Sequence, residues 1–333
     1  MRKRNLGNTG ATVSAVGIGA MSFSDFYGPT DTEKSHAILS KALDLGIDHI
    51  DTSNVYGAGM SEERIGSFLK DQGAGKNDVF KIATKAGIRR GDDGRNLFDN
   101  SPDHLRSELD KSLKRLGVEY VELFYVHRRD PNYPIEQVVG TLAELVKSGK
   151  IRQFGFSEIA PTSLQLAADI HPVGAVQSEY SLSTRYPELG LVQRTRELGT
   201  SLVAFSPVGR SLLTDSPHSF EKSQSIAFLK GNPRFLEPNY SRNIVATDRF
   251  RLIAEEMGHK TASLAIAWLL HQGEHILPIP GTRSVSHLEE LAAGADLSLS
   301  ESDLQAIENC LPTGWAYGDR YSAAQWIGPE KYC

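Results

Sequence analysis

Cysteine is close to absent from this chain, with two in 333 residues, Cys310 and Cys333, both near the C-terminus. Two cysteines without framework spacing exclude a disulfide-stapled scaffold and suit a reducing compartment, and a bridge between them is not expected. Long apolar runs are missing too. No stretch approaches the ~20 residues that span a bilayer, and the basic start Met1-Arg-Lys-Arg lacks the apolar segment of a signal peptide. A net charge of −5 with no basic run offers nothing to nucleic acid, so any anion must be held by a local site. A soluble, cytoplasmic protein with no membrane partner is expected. Nothing in the sequence fixes its oligomeric state.

Several catalytic motifs are also missing. Gly17-Ile-Gly19-Ala-Met-Ser22 follows the first apolar run but lacks the third glycine of a dinucleotide fingerprint, and no phosphate-loop sequence occurs. Gly155-Phe-Ser157 lacks the second glycine of a nucleophile elbow. No H-E-x-x-H or cysteine pair at ligand spacing supports a metal site, and His36, His171, His259 and His275 are scattered. Open nucleotide-binding sheets and both kinds of hydrolase are therefore disfavoured.

What is present is an alternation of short apolar runs and longer amphipathic ones. Strands are predicted at 16–20, 49–51, 80–84, 121–126, 153–156, 175–177, 201–205 and 276–279. Helices are predicted at 32–45, 61–70, 102–116, 135–148, 161–169, 189–198, 243–271 with a break at Gly258, and 285–293. Ser101-Pro102 reads as a capped helix start, and Gly46 and Gly149 as helix ends. Before the first unit, Asn8-Thr-Gly10 reads as the turn of a β-hairpin. Eight strand–helix units with no linker predict one domain over 1–333, a (β/α)8 barrel with an N-terminal hairpin and an extra C-terminal helix or tail. The segment 208–242 shows no clear periodicity and is expected as a functional loop on the C-terminal face.

Asp51, Lys85 and His127 fall at the ends of consecutive predicted strands, and Tyr56 follows in the loop after Asp51. Parallel strands would aim these four side chains at one spot. Such a set suits carbonyl reduction, because a hydride arriving at carbon leaves an alkoxide that needs a proton donor. The Tyr56 phenol is a slow acid at neutral pH, and a neighbouring Lys85 ammonium is expected to lower its pKa. Asp51 would hold Lys85 charged, and a neutral His127 would donate to the carbonyl oxygen. Taken singly, each residue reads as well as a turn cap, an edge charge or a core histidine; their conjunction is the signal.

The sequence resembles the aldo-keto reductases over nearly its whole length. Asp51-x4-Tyr56-Gly57, Thr84-Lys85 and His127 match that family's catalytic tetrad, and the opening hairpin matches its barrel plug. The resemblance implies NADPH/NADP+ lying across the barrel mouth and a small-molecule carbonyl substrate. It implies that Ser157 and Gln177 hold the carboxamide, that Tyr180 stacks on the nicotinamide, and that the backbone of Ser206, Pro207, Val208 and Gly209 holds the pyrophosphate. Gly281, Thr282 and Arg283 would reach the adenosine end, with His287 near the 2′-phosphate. Glu158 and Leu291 stand where many members carry asparagine. Phe23, Phe26, Tyr27, the 86–100 loop, Arg128, Arg129, Trp315 and Tyr317 are the expected pocket walls. Some relatives act as regulatory subunits of potassium channels, which is the alternative reading.

Overall fold

The computed structural model describes residues 1–73, 76–91 and 96–332. Eight strands form one sheet: β1 (Ile18–Gly19), β2 (His49–Asp51), β3 (Lys81–Ala86), β4 (Val121–Val126), β5 (Ile151–Ser157), β6 (Ala175–Glu179), β7 (Ser201–Phe205) and β8 (Ile276–Pro278). Each is parallel to its neighbour in chain order. Gly17 and Gly19 donate through their N–H groups to Pro278 O and Pro280 O, both at 2.9 Å, and these bonds close the sheet. The seam needs glycine: a Cβ on Gly19 would lie 2.6 Å from Ile279 O, and one on Gly281 would lie 2.6 Å from Gly19 O.

Strand alternation sorts side chains into two cores. Ala83, Leu123, Tyr125, Ala175, Val203 and Leu277 face inward, where Leu6 and Val13 of the hairpin Lys3–Asn5/Thr12–Ser14 plug the floor. Ile82, Phe124, Val126, Phe154, Phe156, Val176 and Leu202 face outward against the helices. The inward row continues upward, and at the C-terminal edge it presents polar groups instead.

The predicted helices 102–116 and 285–293 match Pro102–Leu116 and Val285–Ala293, and Ser101 Oγ caps the former by accepting from His104 N. The broken helix divides into Asn239–Glu256 and Thr261–His271 around Gly258, whose φ is +74°. Two features differ from expectation. The 86–100 loop carries a second hairpin, Ile88–Arg90 with Asn96–Phe98, while its residues 92–95 lie outside the described ones. The 208–242 segment contains short helices, Phe220–Ser225 and Ala227–Lys230, too brief to show periodicity. The expected extra C-terminal helix is Glu301–Cys310, opened by a Ser300/Asp303 capping box, and it precedes a tail that returns to the barrel mouth. Cys333, and with it any bridge to Cys310, lies outside the described residues.

Candidate active site

Tyr56 is set by a tight turn. Gly57, Ala58 and Gly59 all have positive φ (62°, 54° and 102°), and the chain then enters the helix Met60–Asp71. This reversal returns the phenol over the ends of β2 and β3. The Lys85 ammonium donates to Asp51 Oδ1, to Thr52 O at 2.7 Å and to the Tyr56 phenol oxygen at 3.4 Å. All three ammonium donors are thereby used, on a side chain with no exposed area. The second Asp51 oxygen accepts from Gln177 Nε2 at 2.7 Å. His127 stands edge-on to Tyr56, ring centroids 5.8 Å apart, with Nδ1 3.1 Å from Ser53 Oγ. The four residues picked from the sequence are thus brought together.

Burial disfavours the Lys85 ammonium, but the charges and hydrogen bonds of Asp51 and Tyr56 outweigh it and hold its pKa above the ordinary lysine value. Burial likewise pushes the Tyr56 phenol up, against the pull of Lys85. The expectation of a phenol below its ordinary pKa is therefore not met; Lys85 offsets part of the desolvation. His127 is held well below its usual pKa by burial, reinforced by Arg128 and Lys85, and is neutral at neutral pH.

Ser157 and Gln177 both lie on the inward row, Ser157 at the end of β5 and Gln177 beside it in the middle of β6. Ser157 Oγ accepts from Arg128 Nη1 at 2.9 Å. Tyr180 is a correction. It is fully buried in the outer core, edge-on to Trp268, and its hydroxyl donates to Glu188 at 2.9 Å. A ring held there cannot stack on a ligand at the barrel mouth. The available aromatic is Phe205, half-buried at the end of β7 and packed on the inward cluster. Parity could have found it, since Val203 and Phe205 share a face.

After Phe205 the backbone is left-handed at Ser206, Gly209, Arg210 and Ser211, while Pro207 and Val208 lie between. Arg210 is buried, and its Nε has no partner. Gly281 lies at the seam, and Thr282 Oγ1 accepts from Ser284 N at 3.1 Å. Arg283 Nη1 donates to Gly28 O at 2.9 Å and to Pro29 O at 3.3 Å, tying the adenosine-end loop to the loop after β1. His287 is exposed one helical turn on, and Leu291 is buried. Glu158 is bound to Arg320 and has no proton to donate. Among the expected walls, Phe23 is buried in the core, whereas Phe26 packs edge-on to Tyr27 and at a tilt to Phe228. Trp315 Nε1 donates to Leu182 O, and Tyr317 lies under Arg242, so both serve the tail's own packing. No metal-binding cluster occurs among the described residues.

Such a mouth manages a proton beside one oxygen atom and lends itself to carbonyl–alcohol chemistry. Residues 15–312 match the profile of the Aldo/keto reductase family. The chain is 37% identical over 322 residues to "Aldo-keto reductase yakc [NADP(+)]" of Schizosaccharomyces pombe, covering 96% of this chain and 94% of that protein. The glycerol dehydrogenase AKR11B4 from Gluconobacter oxydans superposes with a TM-score of 0.82 at 25% identity, over 93% of this chain and 94% of that one. The holo form of aldo-keto reductase AKR11C1 from Bacillus halodurans gives 0.76 at 26% identity, over 98% and 99%. The chain belongs to the aldo/keto reductase family. With that membership it is an NADP-dependent oxidoreductase.

Proposed function

We propose that this protein reduces aldehydes or ketones to alcohols, with Tyr56 as the general acid. The observation that carries this is the saturated Lys85 ammonium, whose bond to the Tyr56 oxygen is made as donor. The phenol oxygen accepts from Lys85, so the Tyr56 O–H is free to point at a substrate oxygen. As the proton leaves, the ammonium stabilises the phenolate. In the tautomer in which Ser53 donates to His127 Nδ1, the imidazole proton sits on Nε2, available to the same substrate oxygen.

The mouth fits a nicotinamide dinucleotide. Ser157 keeps a hydroxyl proton to donate, and Gln177, whose N–H is engaged by Asp51, offers its carbonyl; together they match the two ends of a carboxamide. Phe205 offers a ring, and the left-handed backbone at 206 and 209–211 suits a diphosphate. When bound, the reduced cofactor supplies the hydride. Phe26 and Tyr27 suit apolar or aromatic carbonyls, whereas Arg128 and Arg129 suit an acidic group. A reducing, cytoplasmic compartment belongs to the same reading. Among the described residues no helix is long and apolar enough to cross a membrane.

The test is NADPH oxidation screened over aldehydes, ketones, quinones and pyridoxal. Carbonyl-dependent oxidation is expected with at least one class, and none with any would overturn the proposal. Cofactor choice gives a second expected result. Arg283→Ala should weaken NADPH about ten- to a hundredfold and leave NADH nearly unchanged, because a guanidinium hydrogen bond to phosphate is worth about 1.5–3 kcal/mol. Fluorescence titration of both cofactors decides it. Equal losses would mean that Arg283 only holds the 28–29 loop.

A further inference from the structure

The turn after Ser157 is gripped by the far end of the chain. Glu158 sits in the left-handed region, φ +58°, although it is not glycine. Its N–H donates to Gln177 O at 2.8 Å, and its carboxylate accepts from Glu179 N at 2.9 Å and Ser178 Oγ at 3.1 Å. Arg320 then takes both carboxylate oxygens, Nη1 at 2.9 Å and Nη2 closer. The side chains are 3% and 1% exposed, so this is a fully desolvated fork.

A second contact comes from ten residues further along. Glu330 N donates to Glu158 O at 2.8 Å, and the Glu330 carboxylate accepts from Ala160 N at 2.9 Å and Arg129 Nε at 3.3 Å. The fork is itself braced. Arg320 lies over Tyr321 at 4.6 Å and Trp326 at 4.7 Å, and its carbonyl accepts from Asn232 Nδ2 at 2.5 Å. Asymmetric features like these need a reason. A buried ion pair rarely adds net stability over an apolar replacement, and a left-handed glutamate costs about 1–3 kcal/mol. What the arrangement does secure is the direction of Ser157 and Gln177, which flank Glu158 and face inward.

We infer that Arg320 is a positioning residue for the nicotinamide end of the cofactor, acting from the C-terminal tail through Glu158 on Ser157 and Gln177. This rests on the placement of the carboxamide proposed above. It predicts that the tail controls one half of the cofactor and not the other.

The experiment compares NADPH with 2′,5′-ADP, which carries the adenosine end without the nicotinamide. Arg320→Met should weaken NADPH about tenfold, lower kcat about a hundredfold at saturating cofactor, and leave 2′,5′-ADP binding unchanged. Because the single change strands a buried carboxylate, Arg320→Met with Glu158→Gln is the companion variant. It should regain the wild-type melting temperature yet keep the NADPH defect. Loss of both ligands alike in the companion, or of neither, would overturn the inference. Wild-type protein that binds NADPH no better than 2′,5′-ADP would overturn the carboxamide placement itself, and the inference with it.

Discussion

Tyr56→Phe is expected to abolish carbonyl reduction almost completely while NADPH binds as before. The substitution keeps the ring, its edge-on contact with His127 and its place over Lys85, and deletes only the hydroxyl. General acid catalysis contributes about 10²–10⁴-fold, which corresponds to about 3–5 kcal/mol of barrier. Turnover and cofactor binding should therefore separate cleanly, in single-turnover NADPH oxidation on one side and fluorescence titration on the other. A variant within threefold of wild type would remove Tyr56 from the mechanism. His127 cannot stand in for it, because burial and the neighbouring cations hold its imidazole neutral.

Lys85→Met is expected to cut the rate by a comparable factor and to move the pH profile upward. Reduction needs the protonated phenol, so activity falls as pH rises through the Tyr56 pKa. In the wild-type protein burial raises that pKa and the ammonium partly lowers it again. Without the ammonium, burial and the Asp51 charge are opposed only by the smaller pull of Arg128, so the alkaline limb of kcat/KM should shift to higher pH. The residual rate should be low because the phenol has become a weaker acid. The same change leaves Asp51 buried with Gln177 as its remaining side-chain partner. Removing one member of a buried pair costs about 3–5 kcal/mol, so chemical denaturation must show a folded protein at the assay temperature. A folded variant with an unmoved alkaline limb would make Lys85 a structural residue.

Much of this molecule could be read along the chain, because barrel strands and their helices are local patterns. The β4 run Val121–Val126 and the β7 run Ser201–Phe205 were legible to the residue, since apolar runs flanked by polar helices have few other ways to bury themselves. Asp51, Lys85 and His127 were legible for the same reason: position at a strand end is a sequence property, and parallel strands convert it into proximity. Tyr56 needed one step more, the glycine-bracketed turn that brings it back over β2.

Other features depended on which face a side chain takes and on partners far along the chain. Gln177 and Tyr180 are three residues apart, so the pleat that aims one inward sends the other out; the stacking ring is offered by Phe205 instead. The sign of the Tyr56 shift came from burial, which composition cannot show. Arg320 is 162 residues from Glu158, with no periodicity or motif linking them. Local patterning determined the barrel and the ends of its strands, whereas tertiary packing decided what covers them, because desolvation and long-range ion pairing exist only once distant segments have met.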